Sequence, residues 1–256
     1  MIFESHAHYD DEAFEKDREQ LLSGLSTADV GTVVNVASSL GSVKTTLELT
    51  EKWPFVYGAL GVHPSEIDGL READMEWLKE RLSHPRAVAV GEIGLDYYWE
   101  KEEPVRARQK EWFARQLALA GEVQKPVIVH SRDAMKDTWD VMAGNGAKDM
   151  RGVIHCFSYT KESAKEFLKW DFYLGIGGVV TFKNARAIKE VVEYVPLERI
   201  LLETDCPYLS PEPYRGKRNS SLNLPYVAQA IAEIKGVTKE QVEETTCRNA
   251  RRLFGI

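Results

Sequence analysis

Val127-Ile128-Val129-His130 is a short apolar run that closes on an imidazole. The form recurs in Gly152-Val153-Ile154-His155, in Val56 to Val62 before His63, and in Ile2-Phe3 ahead of His6 and His8. Two carboxylates close matching runs, Glu92 after Ala87-Val88-Ala89-Val90 and Asp205 after Ile200-Leu201-Leu202. Runs of this length and composition read as strands. Scattered core histidines would not choose the same end of every strand. Imidazoles and carboxylates converging from several strand ends are what a metal-dependent hydrolase needs.

Working outward, apolar runs alternate with amphipathic stretches about eight times. The pattern predicts strands near 2–6, 31–37, 55–62, 86–92, 126–130, 152–157, 172–177 and 199–205. Helical spacing falls between them, as over 103–121, 163–170 and 185–194, and Thr238-Lys239-Glu240-Gln241 has the form of a helix start. Such alternation predicts a parallel sheet, and closing it gives a (β/α)8 TIM barrel. An open doubly wound sheet is the alternative. It is disfavoured because no glycine-rich loop follows the first strand and the candidate ligands come from strands along the whole chain. At 256 residues, 43% of them hydrophobic, the chain suits one such domain over 1–256.

Composition narrows the class. No apolar run approaches the roughly 20 residues of a membrane span, and Met1 to His6 lacks the pattern of a signal peptide. A soluble, cytoplasmic protein is expected, without a membrane partner; no feature specifies an oligomeric state. The net charge of −7 argues against broad attraction to nucleic acid but leaves room for a local cationic site. Three cysteines form no disulfide or zinc-ribbon pattern. By strand alternation, Cys156 and Cys206 should face the helix layer if His155 and Asp205 face the axis.

His6-Ala7-His8 places two imidazoles on one strand face. With Glu92, His130, His155 and Asp205 it supplies four imidazoles and two carboxylates at strand ends that meet at one barrel mouth. Asp133, after His130-Ser131-Arg132, is expected to cap the next helix. His84, in Ser83-His84-Pro85 before the fourth strand, lies at the opposite end and is given no role.

The ordered set Ser5-His6-Ala7-His8, Gly61-Val62-His63-Pro64, Gly91-Glu92-Ile93-Gly94-Leu95-Asp96, His130-Ser131-Arg132-Asp133-Ala134, His155-Cys156-Phe157-Ser158, Glu203-Thr204-Asp205-Cys206-Pro207-Tyr208 and Asn249 to Phe254 resembles the TatD family of metal-dependent deoxyribonucleases, within the amidohydrolase-like barrels. The resemblance covers essentially the whole chain. It implies two divalent ions, with His6, His8 and Asp205 on one, His130 and His155 on the other, and Glu92 bridging. Many amidohydrolase-like relatives bridge with a carboxylated lysine, so a glutamate favours TatD. Two places depart from the family pattern: Glu4 stands where Asp is usual, and Ser220-Ser221 where an acidic residue or Ser, then Pro, is common.

Two divalent ions (Zn, Mn, Mg, Co or Fe by donor type) suit phosphodiester hydrolysis. Asp205 is the expected base and Glu203, two residues away on its face, a support behind the ligands. His63 is placed to meet a phosphate oxygen or the leaving group. Arg215, Lys217, Arg218 and Asn219 form the expected substrate-binding loop after the last strand. Tyr97, Tyr98, Trp99 and Tyr208 offer faces for unpaired bases. The expected activity is a DNase preferring single-stranded DNA or ends. A hydrolase of esters, amides, lactones or aminoacyl-tRNA on the same metal site is the alternative, and a non-catalytic metal-binding scaffold is disfavoured because every ligand is present.

Overall fold

A computed structural model describes all 256 residues. Eight parallel strands follow one another in sheet order: β1 (Ile2–Ala7), β2 (Val30–Val36), β3 (Val56–Leu60), β4 (Ala87–Asp96), β5 (Val127–Arg132), β6 (Gly152–Ile154), β7 (Tyr173–Ile176) and β8 (Ile200–Leu202). Helices α1 (Arg18–Gly24), α2 (Leu40–Lys52), α3 (Glu72–Leu82), α4 (Glu103–Val123), α5 (Met135–Gly144), α6 (Lys161–Leu168) and α7 (Arg186–Tyr194) connect successive strands, and α8 (Leu224–Lys235) and α9 (Lys239–Phe254) follow β8. A bridge between Ala7 and Cys206 nearly closes the sheet into the expected single-domain (β/α)8 barrel. No helix is long and apolar enough to cross a membrane.

Local chemistry sets the helix ends. Thr238 caps α9 through Gln241 N while the Gln241 side chain returns to the Thr238 backbone, the capping box read from the sequence. Ser39 and Ser42 make the same exchange at α2. Asp133 does not cap α5. It adopts a left-handed conformation (φ 53°), and α5 starts two residues later behind Ala134.

Two apolar layers follow from strand alternation. The inner layer takes side chains from all eight strands: Phe3, Val34, Val36, Ala59, Val88, Ala89, Ile128, Val153, Tyr173 and Leu201. Helix α9 stops its lower end, with Phe254 stacked on Phe3 at 5.9 Å. Each fully buried side chain of this size contributes about 1.5–3 kcal/mol. The outer layer, of 53 buried residues, joins barrel to helices. Cys206 belongs to it, as alternation predicts.

Inner residues point up each strand to the mouth. From Ile128 the next inward position is His130, from Ala59 it leads through Gly61 to His63, from Val153 to His155, and from Leu201 through Glu203 to Asp205. Strand β1 breaks this rule. Phe3 faces inward, so strict alternation would send Ser5 and Ala7 inward and His6 and His8 out. A register shift between Glu4 and Ala7 inserts one residue against β2, and this bulge turns both histidines to the mouth.

Candidate metal centre

The six predicted ligands meet at the mouth as two groups, with Glu92 between them. In one group His6 Nε2 lies 3.1 Å from His8 Nε2, and Asp205 Oδ1 lies 3.7 and 3.4 Å from the two. In the other, His130 Nδ1 lies 3.2 Å from His155 Nε2. Glu92 divides its carboxylate: Oε2 faces His6 (3.4 Å) and His8 (3.6 Å), and Oε1 faces His130 (2.8 Å) and His155 (2.7 Å). Strands β4 and β5 must approach closely for this. Gly94 permits it, because a Cβ there would stand 1.9 Å from the His130 carbonyl oxygen.

The donor set fits divalent cations. Four ligands at about 2.0–2.1 Å from one ion stand roughly 3.3–3.4 Å from each other, near the spacings of the His6–His8–Asp205 group. Imidazole and carboxylate donors suit Zn, Mn, Co or Fe. Three clusters can hold an ion: His6–His8–Asp205, His63–Glu92–His130 and His6–His155–Glu203.

Electrostatics point the same way. Burial works against charge on His8, yet Asp205 and Glu92 outweigh it and raise the imidazole to about 10. His130 is likewise raised to about 9 against burial, by Asp96 and Glu92. His155 is also raised against burial, by Glu92 and Glu203, so both groups favour positive charge. Burial and the neighbouring His155 lower His6 to about 4; burial and His130 lower His63 to about 3. Glu92 and Asp205 are pushed up by burial, but the surrounding histidines hold both below the usual carboxylate range.

Behind the ligands sit supports. His8 Nδ1 bonds the Val36 carbonyl at 2.7 Å, which directs Nε2 to the centre. Asp96 Oδ2 holds His130 Nε2 at 3.1 Å, while its Oδ1 accepts from the Tyr98 and Trp99 amides. This role of Asp96 is not among those expected from the sequence, although its place four residues along the strand from Glu92 signals it. Glu203 is fully buried over Gly175, accepts from the Cys156 amide and lies 3.7 Å from His155 Nδ1. Burial pushes it up to about 8. His6 Nδ1, His155 Nδ1 and Glu203 Oε2 are buried without hydrogen-bond partners, and Glu203 is the carboxylate that faces His155 Nδ1.

His63 lies beyond β3 and caps the turn Pro64–Glu66 through its Nδ1. Its Nε2 reaches to 3.8 Å from Glu92 Oε1 at the edge of the centre. Cys156 corrects the expectation that it would face the helices. β6 ends at Ile154, so alternation no longer applies, and with φ at 45° Cys156 turns into the mouth.

The mouth is a cavity of about 750 Å³. Its wall carries six carboxylates (Asp10, Asp11, Glu66, Glu92, Asp96 and Asp205) and one permanent cation, Arg132. The Arg132 guanidinium lies 3.9 Å over the Tyr98 ring. Trp99 and Tyr208, exposed by 70% and 56%, stand on the rim from the loops after β4 and β8. Tyr97 is buried and bonds Asp137, which removes it from the expected aromatic set.

None of the four residues of the basic loop lines this cavity. Asn219 is fully buried, and its amide clamps the Thr204 and Tyr208 carbonyls. Arg218 pairs with Asp17 and lies over Phe14. Arg215 and Lys217 are exposed, beside Phe182 and Tyr214. The two departures from the family pattern prove to be in contact: Ser221 Oγ donates to Glu4 Oε2 at 2.8 Å.

Comparison with known proteins shows the family. The family model described as "TatD related DNase" matches residues 3–255. The metal-dependent hydrolase YabD of Bacillus subtilis is 43% identical over 256 residues, covering all of both chains. The 3'-5' ssDNA/RNA exonuclease TatD of Citrobacter rodentium is 32% identical over 95% of this chain and 94% of its own. The crystal structure of YJJV, a TatD homologue from Escherichia coli K12, superposes with a TM-score of 0.92 at 28% identity, covering 100% of this chain and 98% of that one. A barrel whose strand ends gather these imidazoles and carboxylates, matched over nearly its full length, therefore belongs to the TatD family of metal-dependent hydrolases.

Proposed function

We propose that the chain is a two-metal phosphodiesterase that cleaves DNA, preferring single strands or ends. The observation that carries this is the Glu92 carboxylate, which offers one oxygen to each ligand group. His6, His8 and Asp205 would hold one ion, His130 and His155 the other, with Glu92 common to both. Two bound divalent ions supply an acidified water and neutralise charge on a phosphoryl group. The name of the Citrobacter rodentium relative supports nucleic acid as substrate.

Chain residues do the rest. Asp205 is ionised at neutral pH and opens to the cavity, so it orients the attacking water and accepts its proton. His63 Nε2, 3.8 Å from Glu92 Oε1 on the side of His130, would bond a phosphate oxygen or the departing oxygen. Arg132 offers a bidentate contact to a phosphate next to the one cleaved. Trp99 and Tyr208 give stacking faces for splayed bases. Glu203 orients His155 from behind. Arg215 and Lys217 reach phosphates outside the cavity.

The acidic wall favours one competitor, a neutral carbonyl substrate, which meets no repulsion from six carboxylates. Metal-reconstituted enzyme incubated side by side with single-stranded DNA, duplex DNA, RNA and aminoacyl esters separates the readings. Single-stranded DNA is expected to turn over fastest. Hydrolysis of the esters with no DNA cleavage would defeat the phosphodiesterase reading.

A further inference from the structure

We infer that Glu4 is a positioning residue for the metal centre, fixing His6 and His8 against Asp205 across the seam of the barrel. This rests on reading those three as metal ligands. The seam between β1 and β8 is the weakest joint in the sheet. It has a single bridge, Ala7 with Cys206, and two backbone hydrogen bonds beside it, His8 N to the Cys206 carbonyl (2.9 Å) and Asp205 N to the His6 carbonyl (3.0 Å). Every other pair of neighbouring strands is registered at two or more positions. Yet the His6–His8–Asp205 group straddles this joint.

Glu4 supplies what the ladder lacks. Its Oε1 accepts from Thr204 N at 2.9 Å and His6 N at 3.2 Å. Its Oε2 accepts from Thr204 Oγ1 at 2.6 Å and Ser221 Oγ at 2.8 Å. One fully buried carboxylate thereby grips the backbone of His6 and both donors of Thr204, the residue before Asp205. Asp205 has a left-handed backbone (φ 57°), so its direction depends on how Thr204 is held. Tyr9 OH bonds Ser221 at both Oγ (2.8 Å) and N (3.0 Å), which anchors the far end of the network next to α8. Four donors offset part of the desolvation of this buried carboxylate. The Glu92–His130 group needs no such device, because β4 and β5 are registered at five positions.

The test is a Mn²⁺ titration of metal-stripped full-length protein, with free Mn²⁺ read by electron paramagnetic resonance. Glu4→Ala deletes all four bonds; Thr204→Val keeps shape but deletes the Oγ1 bond to Glu4 and the one that Oγ1 accepts from Cys206 N; Glu4→Gln keeps the length and one acceptor. Glu4→Ala is expected to weaken one of the two classes of site by about 10–100-fold, the usual effect of losing a partner behind a ligand, and to leave the other class in place. Thr204→Val should weaken the same class less, and Glu4→Gln should recover part of the loss. Equal weakening of both classes together with a lowered Tm, or two unchanged classes, would overturn the inference. If Glu4→Ala does not fold, Thr204→Val decides by the same criterion. Wild-type protein that binds no Mn²⁺ overturns the metal-centre reading and this inference together; two normal wild-type classes unmoved in the variants overturn this inference alone.

Discussion

The two ligand groups of the centre are built on different foundations. The Glu92, His130 and His155 group stands on β4, β5 and the end of β6, where ladders of five and three positions join the strands and His130 and His155 continue the inward series. The His6, His8 and Asp205 group stands on a bulged β1 and a short β8 joined by one bridge. The first is held by sheet geometry and the second by side-chain hydrogen bonds. A barrel can therefore carry a ligand group where its backbone does not close, provided that a buried network replaces the ladder.

The strongest way to break this comparison is to remove the residue both groups share. Glu92→Gln leaves an amide nitrogen facing one set of imidazoles, so both ions should be lost and hydrolysis should fall below detection. Elemental analysis of the purified variant checks it, and full metal content would show that the groups do not depend on a common ligand.

Next in size is Asp205→Asn, which keeps shape but removes charge and basicity on the seam side. At metal saturation kcat should fall by about 10²–10⁴-fold, the range for a lost general base, with KM moving less. Near-normal kcat in the fully metallated variant would move the base to Glu203 or His63.

Asp96→Asn sharpens the contrast from the other side. It removes the carboxylate behind His130, so affinity on the ladder side should drop by about 10–100-fold while the seam side is unmoved. A Mn²⁺ titration resolves the two, and weakening confined to the seam class would reverse the assignment.

The smallest effect belongs to Arg215→Ala combined with Lys217→Ala. Metal content should not change. If both side chains meet phosphates of a single strand, the salt dependence of log kcat/KM should flatten by about 1.4, from about 0.7 for each contact. An unchanged salt profile would return both residues to a solvated loop.

Legibility in the sequence followed the strength of local constraint. His130 and His155 could be read because each continues an inward series set by one apolar residue, Ile128 and Val153. Cys156 was misplaced because β6 stops one residue before His155 and a left-handed backbone follows. Asp133 resembled a cap, yet its backbone is left-handed and the helix begins later. Asn219 resembled a phosphate ligand in a basic loop, but its amide is satisfied by two carbonyls inside the fold. These misses share a cause: each residue lies past the end of a regular element, where periodicity carries no information.

By itself, the sequence determined the eight-fold alternation of strand and helix, the capped start of α9, and the identity of six donors at strand ends. Those follow from local patterns of apolar and polar residues, which are properties of neighbours in the chain. Only the tertiary structure decided that β1 carries a bulge turning His6 and His8 inward, that Asp96 backs His130, and that Glu4 ties β1 to the loop before α8 across 217 positions of sequence. Bulges and buried hydrogen bonds of that span depend on how one strand is registered against another, and register is a property of the assembled barrel.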